Sequence, residues 1–402
     1  MLKIAHLSDM HVNARGRLAD LGVVLNAFLE DIARQQVDLI LCSGDFYERR
    51  SVPEERTFLA DFLQRAATIA PIAGARGNHD APGELEILNR LETECPIYIA
   101  DRATAGPESA WSIENRSGSA RFGILALPWV EKAHLAGSLG AEVDAETGTQ
   151  LTIAAIRDLL TCLGAETRRV RADGAIPLLV THVMLGGSVV SNGQILIGQG
   201  VELSPSDLLA VGCEYVAAGH IHATQAFFGG RVAYAGSPDR HDFGEKEAKG
   251  YRLITLDDEG RFVSNEFKEL PARRMLLLEG TLDPEKLVIA GACDVIGMGA
   301  EGWDRAEVDG ALVRFRYHVR AQDLHLVDDD AIERALRADG AVDVQIEAVV
   351  EHENRVRSTE ISAAATTWEK ADAFFKAKGV QLEDAQRERL QSKLGELEGA
   401  HA

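Results

Sequence analysis

Cysteine is scarce here, with only five in 402 residues. Cys42, Cys95, Cys162, Cys213 and Cys293 are scattered, and no pair has redox or zinc spacing. That argues against a disulfide framework and fits a reducing cytoplasm. Cys42 and Cys213 stand among apolar neighbours and read as small buried hydrophobes. Long apolar runs are missing too, so nothing in the sequence is marked to cross a bilayer. The first residues enter a strand directly, without the charged stretch and cleavage site of an export signal. Positive charge is in deficit: 42 Lys and Arg stand against 63 Asp and Glu, a formal net of −21. A protein that grips nucleic acid unaided is seldom so acidic, because phosphate contacts dominate that affinity. The chain also lacks a G-x-x-x-x-G-K-[ST] phosphate loop, so any ATP dependence must come from a partner.

What the chain does have is five short segments ending in hard-metal ligands: Asp9-Met-His11, Gly44-Asp45, Gly77-Asn78-His79-Asp80, Thr181-His182 and Gly219-His220-Ile-His222. Four follow apolar runs that read as buried strands: Lys3–Leu7, Leu39–Cys42, Ile176–Val180 and Tyr215–Ala218. The run from Ile69 to Arg76 is interrupted by Pro71 and carries a weaker strand signal. In α/β proteins ligands collect at the carboxyl ends of strands, where these residues fall. Asp9 and His11 are two apart, which in extended chain turns both to one side, and His220 and His222 repeat the spacing. Asp45, alone after a strand and a glycine, suits a carboxylate bridging two ions; Asn78 offers a neutral oxygen and His182 another imidazole. Oxygen and nitrogen without thiolate favour Mn, Fe or Zn in a catalytic setting over a structural zinc. Each piece alone is weak, since Gly-Asp is ordinary turn chemistry and a lone strand-end His is more often structural. Together they point to a two-metal hydrolase. His6 reads as core or second-layer, while His134, His241, His318, His325, His352 and His401 lack partners at ligand spacing.

The set resembles the calcineurin-like metallophosphoesterase pattern D-x-H, G-D, G-N-H-D, H, G-H-x-H over about residues 1–270. Gly44-Asp-Phe-Tyr-Glu48, the run from Val180 through Gly198 to His222, Tyr234-Ala-Gly-Ser-Pro238 and Asp242-Phe-Gly-Glu245 look more specifically like SbcD-type nucleases. The resemblance implies that Asp9, His11, Asp45 and His222 hold one ion and Asp45, Asn78, His182 and His220 the other, with Mn²⁺ as the expected metal. It implies that His79 faces the scissile phosphate as general acid or transition-state stabiliser, work that suits an imidazole, and that Asp80 orients His79. It implies DNA ends and hairpins as substrates, an SbcC-like coiled-coil ATPase as partner, and a homodimer. One departure stands out: many such nucleases carry a further His three residues after the bridging Asp, where this chain has Glu48.

The expected fold is α/β: a calcineurin-like metallophosphoesterase β-sandwich flanked by helices over residues 1–271, a small α/β capping domain over 272–354 and a helical tail over 355–402. Helices are expected at Ala19–Gln35 and Glu54–Thr68, and a late hairpin over Tyr251–Leu256 and Phe262. Residues near 101–120 and 136–150 are rich in Gly, Ser, Ala and acid and read as loops. Beyond Pro271, Met275–Leu278, Val313–Val319 and Val342–Val349 are strand-like, with a helix near Asp330–Ala338. After a linker, Ser358–Thr367, Trp368, Ala371, Phe374 and Phe375 share a helical face stopped by Gly379, and Leu390, Leu394 and Leu397 mark a second stripe. This tail either packs back on the chain or docks on the partner's coiled coil. Arg49 and Arg50 beside the metal loop, and Arg240, are candidate DNA contacts; a solvated surface role is the plainer alternative. Two other functions stay open: a metallophosphoesterase for a non-DNA ester, and an architectural DNA-end clamp with idle metals.

Overall fold

Residues 1–106, 109–130, 145–194, 201–282, 295–296, 303–351 and 366–399 are described by a computed structural model. The chain divides into two compact units. The first comprises Met1–Leu278, Trp303–Phe315 and Ile332–Ile346, and the second Glu279–Gly302, Arg316–Ala331 and Glu347–Ala402.

Strands that are apolar on both faces must be covered on both faces, and the first unit does this with four layers. In chain order it runs β1 (Leu2–Leu7), α1 (Leu18–Gln35), β2 (Leu39–Cys42), α2 (Pro53–Ala66), β3 (Ile72–Ala75), β4 (Ile97–Ala100), β5 (Ala110–Glu114) and β6 (Arg121–Leu127). It continues with α3 (Ala145–Ala172), β7 (Ile176–His182), β8 (Met184–Leu185), β9 (Glu202–Leu203), α4 (Pro205–Ala210), β10 (Tyr215–Gly219), β11 (Gln225–Phe227), β12 (Val232–Tyr234), β13 (Gly250–Leu256) and β14 (Phe262–Glu269). One sheet has the order β14-β13-β1-β2-β3-β4 and the other β11-β12-β10-β7-β6-β5. β1 to β4 are mutually parallel, as are β6, β7, β10 and β12, so the site-bearing strands of each sheet end on a common edge.

The alternation along each strand sorts its side chains between layers. Ile4, Leu39, Leu41 and Ala73 face the second sheet and meet Phe122, Ile124, Leu178, Val180 and Tyr215. Their neighbours Ala5, Leu7, Ile40 and Cys42 turn outward onto Val24, Phe28 and Ile32 of α1 and Leu59 and Leu63 of α2. On the far side Leu125, Leu179, Val216 and Ala218 pack with Ile156, Leu160 and Leu163 of α3 and Leu208 of α4. Each fully buried Leu or Ile contributes roughly 1.5–3 kcal/mol, so the layers form a stiff base for the loops at the strand ends. Glu55, itself buried, closes the N-terminus of α2 by accepting from the Val52 amide at 2.8 Å and also binds the Ala14 amide at 2.8 Å. That carboxylate ties the loop after β1 to the helix after β2.

The expected sandwich, both early helices and the late hairpin are present, and β3 starts immediately after Pro71, where a strand tolerates it. Two expected loops are partly regular instead. Residues 110–114 form edge strand β5, held by pairing with β6 and by Trp111 stacking on Tyr98 at 5.8 Å. Residues 145–150 open the long helix α3. The rest of the 136–150 expectation, residues 136–144, lies outside the described residues, as do Gly198, Cys293, His134, His352, His401 and the linker residues 358–365. Beyond β14, Met275–Leu282, Leu312–Arg320 and Asp343–Glu351 are strands and Asp329–Ala338 a helix.

In the second unit Thr366 and Glu369 form a reciprocal cap on helix Thr367–Ala377, and Gly379 follows it at φ 68°. Asp372 pairs with Arg387 of helix Asp384–Gly399 at 2.8 Å. Phe374 remains 49% exposed. Among the described residues no helix is long and apolar enough to cross a membrane.

Candidate metal centre

The five ligand-bearing segments leave β1, β2, β3, β7 and β10 and meet at one edge of the sandwich. The extended geometry expected for Asp9 and His11 does not occur. β1 ends at Leu7, and Asp9, His11 and Asp45 have left-handed φ of 52°, 45° and 50°, while His220 has φ 110°. Such backbone is uncommon for residues with a Cβ and persists only where its surroundings enforce it. Here they do. The Asp9 amide donates to Gly44 O at 3.0 Å, that of His11 to Asp45 O at 3.0 Å and that of Val12 to Phe46 O at 2.9 Å, so the first two segments run side by side. Side-chain convergence thus comes from paired loops rather than from strand periodicity.

The motif glycines are steric requirements. Gly44, at φ 102°, has no room for a Cβ beside His182 Nδ1, and a Cβ on Gly77 would overlap Asp45 Oδ1 and its amide nitrogen. Asp80 accepts from the Gly77 and Tyr47 amides, both at 2.9 Å, and so clamps the third segment to the second. It does not grip the His79 ring as expected; the His79 Nδ1 lies 2.7 Å from the Glu48 carbonyl, which sets that ring. Buried Arg76 braces the same loop through the carbonyls of Gly77, Asp80, Asp101 and Trp129.

Donor atoms of Asp9, His11 and His222 lie within 4.8 Å of one another, as do those of Asp45, His182 and His220, and those of His11, Asp45 and His79. Asn78 Oδ1 is 2.9 Å from both His182 Nε2 and His220 Nδ1. Asp45 Oδ2 sits 3.6 Å from His11 Nε2 and 3.3 Å from His182 Nε2, between the two groups.

Tautomers show what this arrangement needs. His182 places Nδ1 2.7 Å from the Ser43 carbonyl and must donate there, so its Nε2 turns a lone pair toward two acceptor oxygens. His222 places Nδ1 2.7 Å from Glu245 Oε1, and its Nε2 meets His11 Nε2 at 3.1 Å. Lone pairs of nitrogen and oxygen aimed at one another are repulsive unless a proton or cation lies between them. Two imidazole nitrogens 3.1 Å apart fit one ion held at roughly 2.0–2.2 Å. The titration behaviour agrees: burial opposes charge on His11 and His182, yet the Glu48 contact and Asp45 raise His11 to about 9, and Asp45 raises His182 to about 9. Asp45 is pushed well below the carboxylate range, burial being outweighed by His182 and His11. His220 falls to about 3 through burial and the neighbouring His182. The donor set therefore fits divalent cations.

The residues behind the cluster were not legible as such. Glu245, besides binding His222, accepts from the His241 amide at 2.8 Å and pairs at 2.9 Å with Lys249, both side chains fully buried. Gln194 donates to His220 O at 2.6 Å and accepts from the His222 amide at 3.2 Å. Trp129 packs on the His220 ring at 5.1 Å. His241, read as partnerless, lies against the cluster, its ring 4.7 Å from that of His11 and its Nε2 3.3 Å from Asp9 O. Only the Asp242–Glu245 motif hinted at this layer. Arg240 directs its guanidinium to the carbonyls of Glu245, Ala272, Arg273 and Glu247, which makes it a brace for this loop. Arg49 reaches Asn13 at 3.1 Å and Glu55 at 3.7 Å, and Arg50 is exposed. The cluster floors an open cavity of about 190 Å³ that His79, Glu48 and Gln194 also line.

With this site on a four-layer sandwich, the class is clear. Residues 2–223, more than half of the chain, match the calcineurin-like phosphoesterase family, and the chain belongs to it. Its similar proteins include several SbcD components of the SbcCD nuclease. That of Rhodobacter capsulatus is 31% identical over 266 residues, 59% of this chain and 62% of that protein. That of Escherichia coli K12 is 26% identical over 296 residues, 70% and 72% of the two chains. That of Bacillus subtilis is 26% identical over 274 residues, 64% and 66%. The chain thus spans just under two thirds of the R. capsulatus relative's length.

Proposed function

We propose that this protein is a metal-dependent DNA nuclease that hydrolyses phosphodiesters at or near DNA ends, working in repair or recombination in the cytoplasm. The observation that carries this reading is the convergence of lone pairs from Asp9, His11, Asp45, Asn78, His182, His220 and His222, in a family of phosphoesterases and beside relatives named as nucleases. Asp9, His11, Asp45 and His222 would hold one ion and Asp45, Asn78, His182 and His220 the other, with Mn²⁺ as the expected metal. When bound, two such ions would lower the pKa of water and place positive charge against the phosphoryl oxygens.

The chain's own residues do the rest. Asp45 is nearly inaccessible to water, and the His79 amide, donating to its Oδ1 at 2.9 Å, holds Oδ2 between the two ligand groups. His79, its Nδ1 held by Glu48 O, has only its Nε2 edge to offer a bound phosphate, and in its protonated form donates there to the leaving oxygen. Asp80 and Arg76 hold the loop that carries it. Arg49 and Arg50 are the nearest candidates for the DNA backbone. The net charge of −21 is consistent with a partner that supplies most of the DNA-binding surface. We assign that part to an SbcC-like coiled-coil ATPase docking on the helices of residues 355–402, with residues 272–354 handling DNA and a homodimer as the working state.

The test uses the full-length protein with and without Mn²⁺ on linear duplex DNA, hairpin DNA and a chromogenic phosphodiester, alongside His79→Ala. Manganese-dependent DNA cutting that His79→Ala abolishes at unchanged metal content is the expected result. Turnover of the small ester alone would replace the nuclease by another phosphoesterase. Inactivity on every substrate, even with the ATPase and ATP, would leave an architectural clamp.

A further inference from the structure

The two histidines that face each other at 3.1 Å each have a carboxylate behind them. His222 has Glu245, buried and locked by Lys249. His11 has Glu48, whose Oε2 lies 2.8 Å from Nδ1, at an angle oblique to the ring N–H. Glu245 acts from inside the protein, whereas Glu48 lies on the open side: its side chain is 36% exposed and lines the cavity. Its main chain grips a second imidazole, the carbonyl lying 2.7 Å from His79 Nδ1. One residue therefore reaches two rings that stand edge to face at 4.7 Å, one in the ligand cluster and one beside it.

Resting on the metal-centre reading, we propose that Glu48 is a positioning residue for the ion held by Asp9, His11, Asp45 and His222. A histidine ring presents either nitrogen to an ion, and a partner on one nitrogen decides which. In the neutral ring, the Glu48 charge 2.8 Å from Nδ1 favours the proton on that nitrogen, and the Nε2 lone pair then turns toward His222 and Asp45. Without the carboxylate, Nδ1 has no other partner among the described residues, and the ring is free to exchange tautomers. The His79 contact survives any side-chain change at position 48, because it uses the carbonyl. The carboxylate also lies 4.0 Å from His79 Nδ1, but the hydrogen bond that sets that ring is the carbonyl's and is kept in every variant.

The experiment titrates Mn²⁺ into chelator-stripped full-length wild type, Glu48→Gln and Glu48→Ala by calorimetry, with histidine-selective ¹⁵N NMR of the metal-free proteins. Wild type is expected to bind two ions. Glu48→Ala should weaken one of the two steps roughly 10- to 100-fold, in the range for lost outer partners of ligands, and leave the other unchanged. Glu48→Gln retains an acceptor for Nδ1–H and should stay within about threefold of wild type. Followed above about pH 10, where the metal-free ring is neutral, the His11 nitrogen signals should move from the Nδ1–H form toward a mixture in Glu48→Ala alone. Equal binding by wild type and Glu48→Ala overturns the proposal, as does a Gln variant as weak as Ala, since charge rather than orientation would then be responsible. A wild type that takes up no ions refutes the metal centre itself, and this inference with it.

Discussion

The buried layer behind His222 can be tested by removing one charge. Lys249 Nζ contacts Glu245 Oε2 at 2.9 Å, Glu247 Oε1 at 2.9 Å and Ser237 Oγ at 3.0 Å, and neither the Lys249 nor the Glu245 side chain is exposed. Lys249→Met keeps the volume and deletes the cation. Breaking a buried pair from one side costs about 3–5 kcal/mol, because the remaining charge has neither water nor partner. Glu245 keeps two donors, the His222 ring and the His241 amide, so the lower end applies: about 3 kcal/mol, or roughly 150-fold in the folding equilibrium. Guanidinium unfolding of the metal-free protein measures it. Lys249→Met combined with Glu245→Gln removes the stranded charge and should recover about half of the loss. A single-variant loss under about 1 kcal/mol, or a double variant no more stable than the single, would refute the argument, since it rests on an uncompensated buried carboxylate.

Two further outcomes follow from local geometry. Gly77→Ala puts a Cβ against Asp45 Oδ1; the shift needed costs about 1–3 kcal/mol, and because Asp45 lies in both ligand groups, uptake of both ions should weaken, roughly tenfold or more by calorimetry. His6 is buried between Tyr215 Oη and Ser43 Oγ, each at 2.8 Å, and burial with the nearby Arg252 lowers it to about 3. The unfolded chain binds this proton below its ordinary pKa of 6.5 and the folded chain does not until about 3, so stability falls as pH drops through that window. Between pH 7 and 4.5 the loss is about 2–3 kcal/mol. His6→Gln should flatten this part of the denaturation profile, and an unchanged profile would show that His6 titrates normally.

The part of this protein that was legible early is the part its local chemistry dictates. Runs such as Leu39–Cys42 are too apolar to leave either face wet, which demands strands inside a layered α/β fold. Metal-ligating types placed at the ends of five such runs are improbable without a shared site. What stayed hidden depends on the paths between those runs. β5 looks like a loop because it is held by pairing with β6 and by Trp111 on Tyr98, and the start of α3 because its apolar anchors, such as Ile156, come later in the helix. Lys249 and Trp129 carry no motif that ties them to His220 or His222, and the motifs that contain Gln194 and Glu245 do not say which ligand each supports.

The sequence by itself settled which side chains must gather, because their chemistry admits few other uses in that company. Tertiary structure alone settled how they gather. Asp9, His11 and Asp45 turn through left-handed backbone, held by amide pairs between two loops, and not along extended chain. Asp80 clamps a loop where it was expected to orient His79, and Glu48 holds that ring by its carbonyl. Such roles arise from distances between segments about 30 to more than 200 residues apart, and a chain read one neighbourhood at a time contains no term for them.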